Sequence, residues 1–109
     1  MDKKTQEKIM QLQVLEQNLQ QLNLQKQGFQ AQIIEIEAAI EELNKKPKQT
    51  FKIVGSIMIE TPSKELEKDL NSKKEISNLK IKSIERHEEK LKEDTKNIRD
   101  SVLKEIEDE

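Results

Sequence analysis

Residues 11–43, QLQVLEQNLQQLNLQKQGFQAQIIEIEAAIEEL, decide the fold of this chain because they keep one heptad repeat throughout. Steps of three and four residues separate the apolar positions Leu12, Leu15, Leu19, Leu22, Phe29, Ile33, Ile36, Ile40 and Leu43. This spacing places them on one narrow stripe, as in a helix that packs lengthwise against another helix. Only Lys26 interrupts the stripe. The repeat therefore predicts a coiled coil rather than a globular core.

The flanking residues define two helices of similar length. The first is expected to span residues 5–44, because Pro47 cannot continue a helix. The second is expected over residues 62–107, with Thr61 as its cap and Pro62 in its first turn. Its apolar stripe consists of Leu66, Leu70, Ile81, Ile84, Leu91, Ile98 and Val102. This stripe is looser than the first, because Ser77, Glu88 and Thr95 also occupy positions of the repeat.

Residues 50–60, between the helices, change to the alternating pattern of β-strands. Gly55 lies at the midpoint, where a hairpin needs a residue that tolerates a left-handed turn. A loop of odd length would put Phe51, Ile53, Ile57 and Ile59 on one face, whereas an even loop would spread apolar residues over both faces. A two-stranded hairpin cannot cover this surface by itself. We therefore expect an oligomer interface formed by Phe51, Ile53, Val54, Ile57, Met58 and Ile59. The alternative is that the hairpin packs back on the ends of its own helices.

These elements predict a mainly α fold: a long antiparallel two-helix coiled coil, joined by a single β-hairpin that assembles into an oligomeric β-barrel. Residues 1–109 are expected to form a single domain. Folding back about the hairpin brings Lys26 opposite residues 84–91, where Glu85 or Glu88 could accept its ammonium group. The alternative is that the Lys26 side chain extends to water. The stripes along which the two helices meet form the seam of the coiled coil. Replacing Lys26 by leucine is then expected to raise the melting temperature, since polar residues in the seam reduce stability.

Composition excludes several classes of function. Charged residues make up 39% of the chain, but lysine and glutamate are interspersed and the net charge is −2, so we expect neither nucleic-acid nor membrane binding. Cysteine is absent and the N-terminus has no apolar signal region, which favours the cytoplasm.

No catalytic constellation is present in the sequence. His87 and Glu88 begin like a zinc-protease helix, but Leu91 stands where the second histidine is required. With only Gly28 and Gly55, the chain has no glycine-rich phosphate loop. We expect no enzymatic activity, no cofactor and no metal site.

Particular stretches resemble a known family. Helix one contains Gln11-Leu12-Gln13, Gln25-Lys26-Gln27 and Glu42-Leu43, and the hairpin reads FKIVGSIMI over residues 51–59. The chain closely resembles the β class of the prefoldin chaperone family over essentially its full length, most specifically in the aromatic-Lys-x-Val-Gly stretch from Phe51 to Gly55. A single alternating segment between the helices favours the β class, because the α class has two hairpins.

The resemblance implies a hexamer of two α and four β subunits, whose hairpins form a β-barrel platform from which the coiled coils extend. Their open ends would hold unfolded polypeptides without ATP and pass them to a group II chaperonin. The alternative is a structural coiled-coil spacer or oligomerisation module without a client. A leucine-zipper DNA binder is a poorer fit, because Met1 to Gln11 is not a basic helical extension.

Apolar residues near the two termini distinguish the chaperone from the spacer, whose free ends should be polar. In an antiparallel hairpin both termini lie at one end. Six residues are expected to gather there and bind client polypeptides: Ile9, Met10, Leu12, Val102, Leu103 and Ile106. The alternative is that these residues only complete the coiled coil. Met10 contributes a flexible, polarisable side chain suited to varied partners.

Overall fold

The structure, a computed structural model that describes residues 2–108, consists of two long helices joined by a β-hairpin. Helix α1 is Lys3–Asn44, strand β1 is Phe51–Val54, strand β2 is Ile57–Glu60 and helix α2 is Ser63–Glu107. The expected mainly α architecture, with a single hairpin between two helices, is confirmed.

Helix α1 begins two residues earlier than its expected start because Asp2 caps it. The Asp2 carboxylate accepts a hydrogen bond from the Thr5 backbone N–H at 2.8 Å, and the Asp2 carbonyl accepts one from the Gln6 N–H at 3.1 Å. The first of these bonds holds the pKa of Asp2 below its ordinary value of 3.8. The helix ends at Asn44, and Lys46 has a left-handed φ of 56°, which turns the chain out of the helix before Pro47.

Helix α2 begins one residue later than expected, and Thr61 does not cap it. The Pro62 carbonyl accepts the first helical hydrogen bond, from the Leu66 N–H at 3.2 Å. The Thr61 hydroxyl instead donates to the Ile59 carbonyl at 3.0 Å, and the Thr61 N–H donates to the Thr50 carbonyl at 2.9 Å. Thr61 therefore closes the base of the hairpin through its hydrogen bonds to the carbonyls of Ile59 and Thr50.

The chain divides into two compact units, each containing a stretch of both helices. The terminal unit comprises the described parts of Met1–Gln27 and Lys82–Glu109. The hairpin unit is Gly28–Ile81.

In the terminal unit, the seam of α2 is the more buried of the two. Ile84, Leu91 and Val102 of α2 are buried, whereas the apolar seam residues of α1 in this unit are half-buried. The helices run antiparallel, since Thr5 contacts Glu105 while Lys26 contacts Glu88. Glu88 and Thr95 occupy the seam as the heptad repeat predicts, and both are buried. The Thr95 hydroxyl is satisfied by donating to the Leu91 carbonyl at 2.7 Å.

In the hairpin unit the helices also pack through their seams. Ser77 and Ile81 of α2 are buried, and Ser77 confirms the third polar position expected in the repeat. The α1 residues of this seam are half-buried: Phe29, Ile33, Ile36, Ile40 and Leu43. The Lys80 ammonium lies 5.2 Å from the centre of the Phe29 ring, a favourable distance for a cation–π contact.

Candidate functional site

The hairpin is closed by a two-residue turn. Ile53 pairs with Met58 and Val54 pairs with Ile57, which leaves Gly55 and Ser56 between the strands. Gly55 has a φ of 61°, as the first central residue of a type II′ turn requires. The loop is therefore of even length, the second of the two arrangements that the sequence allowed.

This register spreads the apolar residues of the hairpin over both faces. Directly paired residues point to the same side of a sheet, and neighbours along a strand alternate. Phe51, Ile53 and Met58 therefore share one face. Val54, Ile57 and Ile59 share the other. We call these six residues the hairpin surface.

All six side chains of the hairpin surface are exposed. Phe51 is the least exposed at 45% and Ile53 the most at 72%. Each strand also has one edge without a β partner in the two-stranded sheet. Exposed apolar faces and free strand edges are the features that promote association with further strands.

The second expected site lies in the terminal unit, and its six residues differ in exposure. Met10, Leu103 and Ile106 are exposed, at 66%, 53% and 44%. Ile9 and Leu12 are half-buried. Val102 is buried, because it occupies a seam position of α2, so it supports the packing of the helices instead of facing a partner. We call the three exposed residues, Met10, Leu103 and Ile106, the end surface.

A cluster of polar groups joins the helix ends next to these residues. The Thr5 hydroxyl, which is fully buried, donates to the Glu105 carboxylate at 2.6 Å. The Lys8 ammonium donates to the same carboxylate and to the Ser101 hydroxyl, the latter at 2.7 Å. The Lys8 hydrogen bond, followed by that from Thr5, holds the pKa of Glu105 below its ordinary value of 4.5. We call Thr5, Lys8, Ser101 and Glu105 the end clasp.

Lys26 pairs with Glu88, one of the two acceptors expected from the sequence. The Lys26 ammonium lies 2.8 Å from a Glu88 carboxylate oxygen, with side-chain exposures of 23% and 10%. This hydrogen bond raises the pKa of Lys26 above its ordinary value of 10.5. The pair reverses the expected effect of Lys26→Leu on the melting temperature. This substitution would leave the buried Glu88 carboxylate without its cation, so we now expect it to lower the melting temperature.

The described residues carry no sign of a metal centre or a transmembrane helix. Residues 2–108 contain no cluster of three or more histidine, cysteine, aspartate or glutamate side chains placed to bind a metal ion. Within the same range, no helix is both long and apolar enough to cross a membrane. His87 is exposed on α2.

Two groups of residues escaped the sequence analysis. Thr5, Lys8 and Glu105 of the end clasp continue the heptad frame beyond Leu12 and Val102, so extending the repeat to polar residues would have found them, whereas Ser101 lies outside the frame. Val14 and Leu24 are exposed apolar residues on the outer side of α1, at 54% and 66%. Assigning every residue of α1 to a heptad position would have placed Val14 and Leu24 on the side opposite the seam.

Comparisons with known proteins agree with this architecture. A family model described as "Prefoldin subunit" matches residues 6–109. The prefoldin subunit beta of Archaeoglobus fulgidus is 38% identical over 87 residues, which cover 78% of this chain and 75% of that protein. That of Caldivirga maquilingensis is 31% identical over 93 residues, 84% of this chain and 77% of that protein. The crystal structure of the prefoldin beta subunit from Thermococcus strain KS-1 superposes with a TM-score of 0.87 at 27% identity, covering 94% of this chain and 92% of that one.

The helix–hairpin–helix fold and its exposed hairpin are thus those of a chaperone subunit, and the chain belongs to the prefoldin subunit family. The relatives described above are beta subunits, which confirms the resemblance to the β class. Prefoldins are chaperones rather than enzymes, and their beta subunits belong to a hetero-oligomer.

Proposed function

We propose that this chain is a β-type subunit of an ATP-independent chaperone that holds unfolded polypeptides at its coiled-coil ends and delivers them to a group II chaperonin. In this proposal it joins two α subunits and three further β subunits through the hairpins, and it acts in the cytoplasm. The observation that carries the proposal is the exposure of Met10, Leu103 and Ile106 in the same unit, where a spacer without a client would be polar.

The hairpin surface supports the assembly step. Fully burying one large apolar side chain contributes about 1.5–3 kcal/mol, so covering the exposed parts of six contributes on the order of 5–10 kcal/mol. That is comparable to the net stability of a small domain. Because each strand has one unpaired edge, further strands can pair with the hairpin on both sides.

The end surface supports the holding step. Three separated apolar side chains make only weak contact with any one segment of polypeptide. Several subunits joined through their hairpins would present several end surfaces to one unfolded chain, and their contacts would act together. Weak single contacts also allow release without nucleotide hydrolysis.

Replacing the end surface tests the holding step without dismantling the helices. The variant Met10→Gln/Leu103→Gln/Ile106→Gln keeps good helix formers and leaves buried Val102 and the end clasp in place. The assembled variant should lose most of its ability to suppress aggregation of a denatured protein, measured by light scattering.

The matched control replaces three exposed apolar residues of the hairpin unit, Ile34→Gln/Ile76→Gln/Leu79→Gln, which should leave protection unchanged. Full protection by the end-surface variant, in an assembly of unaltered mass, would favour the spacer alternative.

A further inference from the structure

The outer side of α1 has almost no charge between Ile9 and Gln27, although the exposed residues Lys3, Lys4 and Glu7 precede this stretch. Between Ile9 and Gln27 the charged residues are Glu16 and Lys26. Lys26 lies in the seam with Glu88, and Glu16 lies 3.9 Å from Arg99 of α2. Both charges are thus matched by α2, and neither lies on the side of α1 opposite the seam.

That opposite side is a continuous exposed stripe. Residues spaced by four and three form a second heptad row, about half a helical turn away from the seam. Its members are Met10, Val14, Gln17, Gln21 and Leu24, and all five are exposed. We call this row the neutral face. Met10 also belongs to the end surface, so the two surfaces are continuous.

Helix α2 in the same unit has the opposite character. More than half of the residues from 82 to 108 are charged. The exterior of a solvated coiled coil normally carries charged residues in this way. The absence of charge from one helix exterior, beside a partner rich in charge, indicates a surface with a binding role.

The composition of the neutral face fits a transient partner. Three apolar side chains separated by glutamines do not form the continuous stripe that a stable helix–helix interface needs. Such a row also falls well short of the roughly 800 Å² per partner of a standard stable interface. A second folded copy would therefore bind poorly.

An extended, non-native polypeptide fits better. Glutamine amides both donate and accept hydrogen bonds, so they can pair with backbone groups of any sequence. Met10 to Leu24 spans roughly 21 Å of helix, which matches about six residues of extended chain. At one end of the row, Met10 and Val14 line a shallow groove of about 720 Å³ together with Leu15 and Ile98, and the acidic residues Glu7 and Asp94 also line it. This groove offers a place for one apolar side chain of such a segment.

We propose that the neutral face binds extended segments of non-native polypeptide, and that its lack of charge prevents selection between acidic and basic clients. The inference rests on the proposed holding function and specifies a surface beyond the helix ends.

Adding charge to the neutral face tests this inference. The variant Gln17→Glu/Gln21→Glu places two negative charges in its middle. The control Lys90→Gln/Lys96→Gln makes the same change in net charge at exposed positions of α2.

Protection against aggregation is measured for two denatured proteins, one acidic and one basic, using the complete assembly. The α1 variant should need about ten times more assembly to protect the acidic client, because several copies lose contact together. It should still protect the basic client, and the control should protect both.

A second measurement does not require the fold to tolerate new charges on α1. A photo-reactive residue at position 17 should cross-link to the denatured protein, whereas one at position 90 should not. Equal cross-linking from the two positions, cross-linking of position 17 to another subunit instead, or unchanged protection of the acidic client would overturn the inference. If one of these results is obtained while the wild-type assembly still suppresses aggregation, the inference about the neutral face is wrong but the proposed function is unaffected. A wild-type assembly that protects neither client would overturn both.

Discussion

Individual polar residues decide how the two helices of the terminal unit meet. The seam of this unit contains an ion pair between Lys26 and Glu88, and the helix ends are joined by Thr5, Lys8 and Glu105. Apolar seams tolerate sliding by a heptad, whereas a buried polar group has one acceptable partner. These residues therefore specify alignment, and their effects on stability depend on whether both partners are present.

The first prediction concerns the Lys26–Glu88 pair. Lys26→Leu alone should lower the melting temperature, because Glu88 would remain buried without its cation. Lys26→Leu/Glu88→Leu should raise it above that of the wild type, since two apolar seam residues need no compensation. Melting followed by circular dichroism, arranged as a double-mutant cycle, measures both effects. A higher melting temperature for Lys26→Leu alone would mean that Glu88 reaches solvent when unpaired.

The second prediction concerns Glu105, whose pKa is lowered by Lys8 and Thr5. A carboxylate with a lowered folded-state pKa stabilises the fold at pH values above its ordinary 4.5, and this contribution is lost as the pH falls through the lowered value. The melting-temperature difference between wild type and Glu105→Gln should therefore be largest near pH 7 and should shrink as the pH is lowered below 4.5.

The exposed Glu107 provides a control on the same helix end. Glu107→Gln should change the melting temperature little over the same pH range. A difference for Glu105→Gln that stays constant with pH would show that the clasp acts through the geometry of its hydrogen bonds and not through charge.

At the scale of elements, the hairpin is the part whose order depends most on contacts with other chains. Its two strands of four residues pair in a single ladder, and both faces are apolar and exposed. Two-stranded hairpins are marginal in water without further cover. We therefore expect the hairpin to be fully ordered only when other strands cover it.

The third prediction separates the two faces of the hairpin. Ile53→Asp charges one face and Ile57→Asp charges the other, and each should reduce the native mass of the assembly while helix content remains high. Ser56→Asp adds the same charge in the turn and should leave the mass unchanged. Light scattering distinguishes the cases. An unaltered mass for the double variant Ile53→Asp/Ile57→Asp would remove the hairpin as the assembly surface.

The heptad repeat predicted the seams closely because it depends only on spacing. It located Lys26 and the buried polar positions Ser77, Glu88 and Thr95 before any contact was known. The hairpin loop was different, since alternation alone allows an odd or an even turn, and the choice depends on the backbone of Gly55 and Ser56.

Helix ends were also predicted less well than seams. Asp2 and Thr61 are both residue types that commonly cap helices, and the structure uses the first for α1 and the second for the hairpin. The choice depends on which backbone groups lie within hydrogen-bonding distance, which spacing does not reveal. The exposure of Met10 and the burial of Val102 likewise follow from packing between helices, although both residues are apolar and near a terminus.

At the scale of the whole molecule, the proposed function divides the chain into surfaces with separate tasks. The hairpin surface would join subunits, while the end surface and the neutral face would hold a client. Because no residue is shared between the joining and holding tasks, substitutions should separate them. Variants of Ile53 and Ile57 should lose assembly and client protection together, whereas variants of the end surface should lose protection alone.

The fourth prediction, which tests the central claim most directly, is the native mass of the chain mixed with a prefoldin α subunit. Native mass spectrometry should detect one complex that contains four copies of this chain and two α subunits. The same mixture prepared with Ile53→Asp/Ile57→Asp should contain only smaller species. If the mass of the wild-type chain is the same with and without the α subunit, the chain does not assemble as a prefoldin β-type subunit, and the account is contradicted.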